Sequence, residues 1–62
     1  MIREHDSVVL AADLPEESLK EGDVGTVVHI YKDGAAYEVE FMTLDGETVA
    51  IVTLEKHQVR PV

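Results

Sequence analysis

The clearest pattern in the chain is the run Tyr37-Glu38-Val39-Glu40-Phe41, where apolar and charged side chains alternate strictly. A period of two predicts a strand with one apolar face. The β-branched stretches on either side, around Val27-Val28 and Val49-Ala50-Ile51-Val52, predict two further strands. Asp33-Gly34 and Asp45-Gly46 separate the three. Asp-Gly supplies the positive φ that a two-residue type I′ hairpin needs at its centre. With each step at a turn centre, paired residue numbers add to 67 in the first hairpin and 91 in the second. One face then carries Thr26, Val28 and Ile30 opposite Phe41, Val39 and Tyr37, which oppose Ala50, Val52 and Leu54. This layer is the expected core, because a slip of one residue would scatter it to both sides. The other face carries Glu38 and Glu40, with His29 and Thr53 beside Glu38, and also Val27, Met42, Leu44, Val49 and Ile51.

The remaining elements follow from local signals. Ser7-Val8-Val9-Leu10 reads as a first strand. Residues 11–23 read as a long loop pinned by Leu14 and Leu19, the alternative being a helix of one or two turns from Pro15. Gly22 and Gly25 mark the turn and entry to the second strand, and Gly34 and Gly46 the hairpin turns. The tail from Leu54 predicts a short 3₁₀ turn and a last strand ending near Pro61. The expected fold is all-β: a small five-stranded SH3-like antiparallel barrel in one domain spanning residues 1–62, with a long loop between strands 1 and 2 and a 3₁₀ turn before the last strand.

Size and charge narrow the functions. A domain of about 60 residues buries only ~60% of its unfolded surface, so the core is small. With no cysteine, neither disulfides nor thiolate metal sites compensate, which suits a reducing, cytoplasmic compartment. The charged N-terminus lacks a signal-peptide pattern, and no apolar run is long enough to span a bilayer, so no membrane association is expected. Thirteen acidic against five scattered basic side chains give a formal charge of −8. Nucleic-acid affinity rests on neutralising phosphates with Lys and Arg, so no nucleic-acid partner is expected.

The combination His5-Asp6-Ser7-Val8-Val9-Leu10, Asp13-Leu14-Pro15, Leu19-Lys20-Glu21-Gly22-Asp23-Val24-Gly25-Thr26-Val27-Val28, Tyr37-Glu38-Val39-Glu40-Phe41 and Gln58-Val59-Arg60-Pro61 resembles a bacterial family of small proteins known as domain of unknown function 4926. The resemblance covers nearly the whole chain and implies an SH3-like barrel, with no activity to carry over. More loosely, Gly22-Asp23-Val24-Gly25-Thr26-Val27 is similar to the entry of KOW-type barrels and of the nitrile hydratase β-subunit barrel and its accessory proteins.

Candidate chemistry is sparse. His5, His29 and His57 lie far apart without metal-ligand spacing, and His29 beside Glu38 forms the best local pair. Ser7 and Ser18 lack a nucleophile motif, and Gly22 and Gly25 lack the Lys-Ser/Thr of a phosphate loop. No catalytic residue, metal or cofactor is expected, and the protein reads as a non-enzyme. What stands out is the mixed outer face, since outward positions of a one-sided sheet are ordinarily polar. Val27, Met42, Leu44, Val49 and Ile51, rimmed by Glu38 and Glu40, form a candidate docking patch for a larger protein partner or a second copy of the chain. The acidic loop residues Glu16, Glu17, Glu21 and Asp23 would set charge preference. The alternatives are an accessory subunit or maturation factor of the nitrile hydratase kind, or an acidic antitoxin or inhibitor of a neighbouring gene's product.

Overall fold

A computed structural model describes residues 2–42 and 47–62, and for Val49 the backbone alone. Five antiparallel strands form one sheet: β1 (Ser7–Leu10), β2 (Val24–Tyr31), β3 (Ala36–Met42), β4 (Thr48–Glu55) and β5 (Val59–Pro61). Their spatial order is β4-β3-β2-β1-β5. The only helical segments among the described residues are 3₁₀ turns at Pro15–Glu17 and Lys56–Gln58. The architecture is the expected all-β one and is consistent with a small barrel, but the sheet is not closed, because β4 and β5 are its two edges.

Val8, Leu10, Leu19, Val27, Tyr37, Val39, Phe41, Leu54 and Val59 form the core, with Ile2, Leu14, Ile30, Ala50 and Val52 packed against it and partly buried. No helix layer covers this face among the described residues, and Leu14 and Leu19 of the long loop pack with the strands instead. On β3 and β4 the expected layer is present row by row. Tyr37 pairs with Leu54, Val39 with Val52 and Phe41 with Ala50, all in the register of 91. The register slips by one only between Phe41 and Met42, where Met42 pairs with Thr48. Gly46 and the Asp45-Gly46 turn lie outside the described residues.

The first hairpin departs from expectation in two places. His29, Ile30 and Tyr31 pair with Glu38, Tyr37 and Ala36 in the register of 67, but the turn is a four-residue loop. Positive φ runs through Lys32 (44°), Asp33 (59°) and Gly34 (100°), and the Gly34 N–H donates to the Tyr31 carbonyl. The tight bend is therefore centred on Lys32-Asp33. The register survives because residues 32–35 extend the loop equally on both sides of the expected centre. The second departure is a β-bulge at Val28: His29 pairs with Glu38, yet Val27 pairs with Val39 and Thr26 with Glu40. A bulge inverts the in-out alternation beyond it. Val27 is consequently fully buried and belongs to the core, whereas Thr26 and Val28 leave it, Val28 being 39% exposed.

Hydrogen bonding on the other edge of β2 accounts for the choice. The His5 N–H donates to the Val27 carbonyl and the Val27 N–H donates to the Asp6 carbonyl, extending the β1 side of the ladder as far as Val27. β2 thus pairs on both sides at its start, and the bulge supplies the bend that lets it continue along β3. Gly25 is likewise an interior strand position opposite Val8, not a turn.

The long connection is ordered by its own backbone. Leu14 and Leu19 bridge reciprocally, each N–H donating to the other's carbonyl, across the 3₁₀ turn at Pro15–Glu17. Ser18 closes that turn in a left-handed conformation. Asp13 accepts from the Glu21 N–H and Asp23 from the Lys20 N–H, both at 2.9 Å. Gly22, at φ 96°, donates to the Leu10 carbonyl. The second 3₁₀ turn is held by a capping box between Glu55 and Gln58. The Gln58 carbonyl accepts from the Ala11 N–H, which brings β5 alongside β1.

Candidate functional site

The outer face of β2, β3 and β4 is built from strand alternation and two threonine–glutamate contacts. Across the strands, Thr26, Glu40 and Ile51 form one row and His29, Glu38 and Thr53 the next. Glu38 lies between two hydroxyls: Thr53 Oγ1 donates to its Oε1 at 2.6 Å and Tyr31 Oη to the same atom at 3.1 Å. Glu40 accepts from Thr48 Oγ1. Both carboxylates are thereby fixed in orientation on the middle strand. The bond to Glu38 is the main cause that raises the Tyr31 phenol above its ordinary value of 10.0, with partial desolvation and the Glu38 charge acting in the same direction.

His29 does not use its register partner. Its Nδ1 lies 3.8 Å from the Glu4 carboxylate, and its ring meets Tyr31 edge-on with centroids 4.6 Å apart. The local pair expected between His29 and Glu38 is replaced by these contacts, while Glu38 accepts from Thr53 and Tyr31.

Of the apolar patch expected on this face, Met42 and Ile51 are present, at 50% and 55% exposure. Val27 is the correction: the bulge turns it into the core. Leu44 lies outside the described residues, and the side chain of Val49 does so as well. Val24, 56% exposed, was missed by the sequence reasoning and takes Val27's place. It sits two residues from Thr26 on the same face, and a groove lined by Val24 and Met42 runs down between them to Leu19 and Phe41. The signal for Val24 was available in the Val8 and Gly25 positions. Once those face inward, the residue preceding Gly25 must face out. Ser18 and Leu19 of the long loop border the groove, yet Val24, Met42 and Ile51 each stay at least half exposed among the described residues. Ile2 lines a cleft with Ile30, Gly34 and Tyr37.

In the acidic loop, Asp23 is committed to the Lys20 N–H, while Glu16, Glu17 and Glu21 are exposed. No group of three or more His, Cys, Asp or Glu side chains with the geometry to hold a metal ion occurs among the described residues. No helix among them is long and apolar enough to cross a membrane.

Fold and face together define a small all-β protein: one five-stranded antiparallel sheet whose outer face sets exposed apolar side chains beside fixed carboxylates. A family model described as domain of unknown function, DUF4926, matches residues 4–61. The chain belongs to that family. No curated protein and no solved structure matches it.

Proposed function

We propose that this protein is a non-enzymatic, cytoplasmic protein-interaction module of SH3-like type that docks a partner polypeptide on its outer face. The observation carrying the proposal is that Val24, Met42 and Ile51 each remain at least half exposed on one sheet face, with Glu38 and Glu40 between and beside them. Apolar side chains grouped on a charged surface mark contact sites more often than isolated ones do. The carboxylates add orientation: held by Thr48, Thr53 and Tyr31, they present charge in a fixed place without the cost of ordering a free side chain. The absence of cysteine fits the compartment.

Photo-crosslinking in the native cell tests the docking face. A benzophenone side chain placed at Val24 or Met42 is expected to give an adduct that is lost when Ile51→Glu is added, whereas one placed at Glu17 gives none. The adduct mass separates a larger partner from a second copy. If adducts arise from Glu17 and not from either face position, the docking face is elsewhere.

A further inference from the structure

We infer that the free edge of β4 is a docking site for an extended, basic segment of another protein, which adds to the sheet as a sixth strand. The site is the backbone edge of β4, and an added strand would extend the outer face that carries Glu38 and Glu40.

β4 runs for eight residues, Thr48–Glu55, at one end of the strand order. It pairs with β3 on one side, and no described strand lies on the other. Beyond that ladder, the Glu55 N–H donates to the Gln58 side chain at 2.8 Å. A row of free N–H and C=O groups is a template for another strand, and proteins ordinarily blunt such edges with Lys, Pro or short length. The opposite edge shows this treatment: β5 has three residues, Val59–Pro61, and includes Arg60 and Pro61. β4 has neither Lys nor Pro, and its residues 49–52 are Val, Ala, Ile and Val. Its one irregularity, the register slip near Val49, lies at its start and leaves residues 50–55 in regular pairing.

The core shows a matching gap. Val39 and Phe41 on β3 are buried, whereas their inward-facing partners Val52 and Ala50 on β4 are only partly so. A strand added beside β4 would complete that layer with apolar side chains at alternate positions.

Charge identifies the occupant. β2, β3 and β4 hold Glu38, Glu40 and Glu55 and neither Lys nor Arg. The outward positions of an added strand would adjoin Ile51, Thr53 and Glu55, with Glu38 and Glu40 one strand further in, and these wholly negative surroundings favour basic side chains there. A second copy is disfavoured, because edge-to-edge pairing would bring together two chains of formal charge −8. The occupant is therefore a segment alternating basic and β-branched residues, joined by strand addition.

The test uses the full chain and the peptide acetyl-KVKVTVKVK-amide in low-salt titration calorimetry, with two forms N-methylated on alternate amides. The peptide is expected to bind, and one methylation pattern to weaken it at least tenfold while the other leaves it nearly unchanged, since only alternate amides face the edge. Hydrogen exchange is expected to slow at alternate β4 amides on binding. Met42→Gln, on the outer face of β3, separates the two surfaces: affinity kept within twofold assigns the peptide to the edge, and a larger loss assigns it to the docking face and overturns the inference. The inference is overturned if no binding occurs, if both methylated forms bind alike, or if a glutamate-for-lysine peptide binds as well. It is also overturned if the free protein sediments as a dimer with its β4 amides already protected, which would assign the edge to a second copy.

Discussion

Gly25 shows how a single residue limits the packing. A Cβ there would stand 2.6 Å from Val39 Cγ1, 2.9 Å from Phe41 Cε1 and 3.0 Å from the Glu40 carbonyl oxygen. Its φ is not in the left-handed region, so the requirement is close approach and not backbone freedom. Gly25→Ala is expected to cost about 1–3 kcal/mol, the range for overpacking a core, measured by urea unfolding. Tyr31 offers a second test. Its raised folded-state pKa means that the neutral phenol is favoured by folding, chiefly through the bond to Glu38. The associated stability is fully present below the unfolded pKa, near 10, and is lost as pH rises through the higher folded value. Tyr31→Phe should therefore flatten the alkaline decline in stability, measured by urea unfolding across the pH range of phenol ionisation.

At the scale of the element, the bulge in β2 decides which of two adjacent valines is core. Val27→Thr would bury a hydroxyl among Val8, Val39 and their neighbours and is expected to cost about 1–3 kcal/mol. Val28→Thr, on the exposed bulge residue, should stay within about 0.5 kcal/mol. Equal effects in thermal unfolding of the two variants would mean that the strand is not bulged there. Strand existence was legible throughout. The first strand, the loop pinned by Leu14 and Leu19, the 3₁₀ turn before the last strand and the register of the second hairpin all follow from local pattern. The bulge was not legible, because Thr26-Val27-Val28-His29-Ile30 offers apolar residues to either phase. What selects Val27 is its pairing with His5 and Asp6, a contact made by a distant upstream part of the chain.

At the scale of the whole molecule, charge and core size act together. The ion pairs found among the described residues, His29–Glu4 and His57–Glu55, are exposed and of histidine type, and such pairs contribute little. Repulsion among the acidic groups of a chain with charge −8 is expected to outweigh them. Salt that screens both should on balance stabilise the fold. Raising sodium chloride from 10 mM to 0.5 M, roughly from a Debye length above 30 Å to one below 5 Å, is expected to lift the thermal midpoint by a few degrees. A fall in the midpoint would show that attractive pairs dominate. The same screening should weaken capture of the basic peptide, so the two responses to salt have opposite sign.

The linear chain contained enough to settle the strand content, the place of the first hairpin turn to within a residue, the acidic character and the half of the outer face formed by Glu38, Glu40, Met42 and Ile51, because each rests on neighbours in sequence or on a period of two. The placement of Val27 inside and Val24 outside, the release of His29 from Glu38, and the open edge at β4 were decided by three-dimensional pairing. Each depends on which distant segment reaches a strand first and on which side of it hydrogen bonds are left over, and these are properties of the assembled sheet that no local pattern encodes.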